Sequence, residues 1–81
     1  MLFRSVEVYY QSPSDVERES EITRFVLEKG GRLDYREGPP SSEIGSICLT
    51  YEFDERDAAE AAASLLRKKG EFVEGPMEYA G

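Results

Sequence analysis

The chain holds one thiol, Cys48, and no histidine. A cysteine nucleophile acts as its thiolate, which at neutral pH needs a neighbouring base or cation to form. The strand residues expected around Cys48 include the carboxylates Glu7 and Glu52, whose charge disfavours the thiolate, so the cysteine is read as inert. A lone cysteine also excludes an internal disulfide and the Cys-x-x-Cys spacing of redox and zinc sites. Without imidazole, acid/base chemistry would fall to carboxylate pairs such as Glu7 and Glu52, and these need a cleft that separates their pKa values. No acidic run has the spacing of a calcium-binding loop. The sequence therefore names no catalytic residue, no metal ligand and no cofactor.

The elements that must position these groups are those of one small domain spanning residues 1–81. Hydrophobic residues make up 40% of the chain and charged ones 33%, a globular composition. No apolar run approaches the roughly 20 residues that cross a bilayer. Met1-Leu2-Phe3-Arg4 breaks into alternation without the apolar stretch of a signal peptide. The expected location is cytoplasmic, away from membranes. Seventeen acids against ten bases give a net charge of −7, which repels nucleic acid and favours a basic partner. About half of that acidity sits near two expected helix starts, at Asp15, Glu17, Glu19, Glu21 and at Asp54, Glu55, Asp57, Glu60, where carboxylates complement the helix dipole.

Val6, Val8 and Tyr10 alternate with Ser5, Glu7 and Tyr9 in the period of two that marks a strand. Ser12-Pro13-Ser14-Asp15 then predicts a helix with Ser12 as its N-cap, Pro13 at the first helical position and Asp15 completing a capping-box-like pair. Val16, Ile22, Phe25 and Val26 share the apolar arc of this helix, and Gly30-Gly31 ends it. Arg32 to Arg36 predicts a short second strand, stopped by the loop Gly38-Pro39-Pro40-Ser41-Ser42. Ile47, Leu49, Tyr51 and Phe53 define the third strand. Asp54 is the expected cap of a second helix lined by Ala58, Ala59, Ala62, Leu65 and Leu66, whose last turn carries Arg67, Lys68 and Lys69 before Gly70. Glu71 to Glu74 predicts a last strand, closed by Gly75-Pro76 and a short tail containing Tyr79.

The order is β-α-β-β-α-β, and each half runs from a strand through a capped helix and a glycine stop to Glu-Gly-Pro, at Glu37 to Pro39 and at Glu74 to Pro76. Right-handed crossovers place both helices on one face. The expected fold is α+β: a ferredoxin-like βαββαβ sandwich with one mixed or antiparallel four-stranded sheet, order 4-1-3-2. Parity leaves Ser5, Glu7, Tyr9, Cys48, Thr50 and Glu52 on the uncovered face, with Arg32, Asp34 and Arg36 from the second strand. That face is expected to be small and polar.

The run around Gly45 to Ala63 resembles the third strand and second helix of RNA-recognition motifs. What that resemblance implies, bases stacked on exposed aromatics, would rest on positions that here hold Cys48 and Thr50, and no nucleic-acid partner is expected. The leading expectation is a non-enzymatic protein-interaction or regulatory module. It would use the open face and the exit of the first strand, with Glu7, Tyr9, Gln11, Arg36, Cys48, Thr50 and Glu52 as candidate binding residues. Its partner would be a basic protein or a second copy of the chain. The alternative is a small-molecule-sensing homodimer resembling ACT-type modules, in which ferredoxin-like units pair around a metabolite. A carboxylate-dependent enzyme is the third reading.

Overall fold

The computed structural model describes residues 2–39 and 44–80. The elements run β1 (Leu2–Gln11), α1 (Val16–Glu28), β2 (Gly31–Glu37), β3 (Ser46–Phe53), α2 (Arg56–Lys68) and β4 (Phe72–Ala80). The strands form one sheet in the order β2-β3-β1-β4, and every neighbouring pair is antiparallel. Residues 40–42 of the expected Gly38 to Ser42 loop lie outside the described residues.

Period-two patterning in the central strands decides where the core sits. Val6, Val8 and Tyr10 of β1 stand opposite Tyr51, Leu49 and Ile47 of β3, and all six are buried. Ile22 and Val26 of α1, and Ala59, Ala62, Ala63 and Leu66 of α2, close over the strand residues in one cluster, so both helices cover the same face of the sheet. The three alanines are fully buried and bring the α2 backbone close to the strands, where a larger side chain would hold it off. Tyr51 has its ring in this cluster, and its hydroxyl meets Thr23 Oγ1 at 2.8 Å. Burial pushes the Tyr51 phenol up to about 12. No helix among the described residues is long and apolar enough to cross a membrane.

Three local expectations are corrected. The first helix begins at Val16 with Asp15 as N-cap, its carboxylate accepting from the Arg18 amide at 3.0 Å. Ser12 instead pairs reciprocally with Gly45: its amide donates to the Gly45 carbonyl at 2.9 Å, and its hydroxyl accepts from the Gly45 amide at 3.1 Å. The second helix starts after Glu55, not Asp54. Asp54 is committed elsewhere, its carbonyl to Arg4 at 3.0 Å and its carboxylate to Arg32 at 3.1 Å. Finally, Gly75-Pro76 does not close β4. The strand continues to Ala80 across a register shift, and Tyr79 pairs with Phe3 instead of lying in a tail. Pro76 can stand inside this strand because β4 is at the sheet edge.

The Tyr10 hydroxyl fixes the start of α1 to the end of β1. It accepts from the Asp15 amide at 2.9 Å and donates to Glu19, which also receives a two-pronged contact from Arg36 of β2 at 2.6 and 3.0 Å. Arg36 holds the Glu19 carboxyl below its ordinary value, with Tyr10 adding to the effect and burial opposing it. A carboxyl with a depressed pKa in the folded state contributes stability that is full above the unfolded value of about 4.3 and is lost as pH falls through the lowered one. Glu19→Gln is therefore expected to have a lower urea midpoint than the wild type at neutral pH, with the gap narrowing between about pH 5 and pH 3. Midpoints that stay parallel across that window would show that the contact contributes no pH-dependent stability.

Candidate functional site

With both helices on one side, the other side of the sheet is uncovered, and the strand register states what it presents. One row across the sheet is Tyr35, Thr50, Glu7 and Glu74; the next is Glu37, Cys48, Tyr9 and Phe72. Beyond the second row stand Ser46 and Gln11, joined at 2.9 Å. On the other flank are Arg32, Glu52, Ser5 and Met77, with Arg32 bonded to Glu52 and its guanidinium 5.8 Å from the centre of the Phe3 ring.

Of the sequence-expected site residues, Glu7, Tyr9, Cys48 and Thr50 come together at the centre of this face. Gln11 and Glu52 lie at its two ends. Arg36 is not on it. The β2–β3 register shifts between Leu33 and Tyr35, so that Tyr35 falls opposite Thr50 and Arg36 opposite the core residue Leu49. The irregularity reverses side-chain parity for the rest of the strand, which sends Arg36 to Glu19 on the helical side and turns Tyr35 and Glu37 outward. A weak sequence signal for it was Asp34, a residue depleted in regular strands. Phe72 was also missed, although Phe72-Val73 at a strand start requires one of two apolar neighbours to face out. Val73 is in the core, and Phe72 is 64% exposed.

The face is thus more aromatic than its expected polar character. Tyr35 is 57% exposed, and Phe72 meets Tyr9 edge-on, with ring centres 6.1 Å apart and planes at 77°. Two shallow depressions share Tyr9 and Ser46. One, of about 480 Å³, is lined by Glu7, Tyr35, Glu37, Cys48 and Thr50; the other, of about 460 Å³, by Tyr10, Gln11, Phe72 and Glu74. Among the described residues, Glu7, Glu37, Glu52 and Glu74 share this face with Arg32, and of these four glutamates Glu52 has an ion pair, to Arg32. Glu7 and Glu74 stand directly opposite each other on neighbouring strands, a like-charge arrangement that costs stability in an antiparallel pair.

The chemistry available here is that of neutral groups beside carboxylates. Burial, reinforced by the charge of Glu7, raises the Cys48 thiol pKa. The Tyr9 phenol is also raised, first by burial and then by Cys48, Glu7 and Glu74. Both groups are held toward their neutral forms. Among the described residues, no group of three or more cysteine, aspartate or glutamate side chains is placed to hold a metal ion. No protein-family model matches the chain, and no curated protein matches it.

Proposed function

We propose that this protein is a non-enzymatic interaction or regulatory module whose uncovered sheet face docks a basic protein partner. One observation carries the reading: Glu7, Glu37 and Glu74, without an ion pair among the described residues, are interleaved with Tyr9, Tyr35 and Phe72 on a face that no helix covers. Aromatic side chains give large contact area at low entropic cost, and uncompensated carboxylates select positive partners and speed their encounter. The ferredoxin-like class is the fold assignment that goes with this proposal, supported by the βαββαβ order and the strand neighbours β4-β1-β3-β2.

The test compares affinity capture by the wild type and by a Glu37→Lys/Glu74→Lys variant. Both residues are exposed, so the fold should survive the exchange. The expected result is a set of basic proteins held by the wild type at low salt and lost by the variant, with thermal unfolding no less stable in the variant. Identical captured sets would reject the reading.

A second reading, a small-molecule-sensing homodimer like ACT-type modules, draws on a different place. Val16, Leu27 and Leu33 are exposed along a groove of about 570 Å³ between α1 and β2. Light scattering on the same preparations separates the two, since a persistent dimer favours sensing and a monomer favours docking.

A further inference from the structure

We infer that the β1–β4 half of the open face holds a seat for one arginine side chain of the partner, built by Tyr9 and Phe72 as walls and Glu74 and Gln11 as acceptors, with Glu7 alongside. The inference rests on the docking reading above and names the group that anchors it.

Four residues form a block across two strands: Tyr9 opposite Phe72, and Glu7 opposite Glu74. The aromatic pair and the carboxylate pair therefore adjoin on the same side of the sheet. Phe72, the first residue of β4, leaves most of its ring to solvent. Gln11 gives its amide nitrogen to Ser46 Oγ at 2.9 Å, which leaves its carbonyl oxygen as an acceptor in the depression that Phe72 and Glu74 also line. The lining thus offers an exposed π surface, the Glu74 carboxylate and a carbonyl, with Glu7 in the adjoining depression, and no ion pair among the described residues engages Glu7 or Glu74.

That set fits one side chain better than any other. A guanidinium is all donors and no acceptors, it is planar, and it can stack on a ring while its fork meets a carboxylate. A lysine ammonium satisfies the charge and is drawn to the ring face, but it is a compact, strongly hydrated group and gains less from a flat wall. The opposed Glu7 and Glu74 give the site a further reason to take a cation. They are like charges at paired positions of neighbouring strands, and a positive group seated beside them lessens their mutual repulsion.

The experiment titrates the full chain with nona-arginine and nona-lysine at about 150 mM salt, where weak long-range attraction is screened. Amide chemical shifts locate the contact. Nona-arginine is expected to bind about fivefold more tightly than nona-lysine, with the largest shifts at Tyr9, Gln11, Phe72 and Glu74. Phe72→Ala, at an exposed ring, is expected to bring the two peptides to equal affinity, and Phe72→Tyr to restore the preference. Equal affinities in the wild type, or a preference that survives Phe72→Ala, would overturn the arginine seat while leaving a general acidic docking face in place. If neither peptide binds even at about 20 mM salt, where the Debye length exceeds 20 Å, the docking reading itself falls and the seat falls with it.

Discussion

Phe53→Ala is expected to destabilise the fold by about 3–5 kcal/mol, the cost of deleting a buried aromatic side chain from a site that cannot collapse. Phe53 ends β3 with no exposed surface, between Arg4 of β1 and Gly31 of β2. Its ring lies so close over Gly31 that a β-carbon there would come within 2.6 Å of it. Gly31 therefore has no side chain with which to refill the space, and both neighbouring backbones are held by ladder pairing. A domain of this size holds roughly 4–12 kcal/mol in all, so the variant would lose a large share of its stability. Urea denaturation followed by circular dichroism measures this as a fall in midpoint with the slope preserved. A loss below about 1 kcal/mol would mean that the strand end rearranges and the core does not depend on this ring.

The second large effect is expected at Gly75. Its φ of +102° is one that side-chain-bearing residues rarely adopt, and a β-carbon there would lie 2.6 Å from the carbonyl oxygen of Ser5. The strained conformation costs about 1–3 kcal/mol, and the collision adds a similar amount because its neighbour is backbone and cannot rotate away. Gly70 separates the two contributions. It has a comparable φ of +96°, but a β-carbon there would meet nothing within 4 Å, so Gly70→Ala reports conformation alone. Gly75→Ala is expected to lower the urea midpoint clearly more than Gly70→Ala, and equal losses would remove the close approach as a cause. The same stretch bears on the edge of the sheet. Arg67 donates to the carbonyls of Val73 and Gly75 at 3.1 and 2.9 Å, covering acceptors that an edge strand would otherwise offer to another chain.

These two positions differ in how far the chain announces them. Phe53 is the last apolar residue of an unbroken alternation from Ile47, and nothing but burial explains that pattern. Gly75 reads locally as a stop before proline, and its role as a pivot within a continuing strand depends on where β1 lies. The candidate site divides in the same way. Glu7, Tyr9, Cys48 and Thr50 sit on strands whose partners are buried residues of clear parity, so their orientation could be derived from the alternation alone. Arg36 could not, because one shift of register in an edge strand reverses every side chain after it.

What the sequence determined by itself was the set of elements and their order, the face that both helices cover, the central strands that carry the core, and a net charge of −7. Each of these follows from periodicities and composition within a single segment. Only the tertiary structure decided that Asp15 and not Ser12 caps α1, that β4 runs on past Gly75-Pro76, and that the open face carries Tyr35, Glu37 and Phe72 beside its glutamates. Those features depend on contacts between distant segments: Ser12 with Gly45, Arg36 with Glu19, and Gly75 against the Ser5 carbonyl. A local pattern fixes which way a regular strand faces, but the irregularities that redirect it arise where two strands meet.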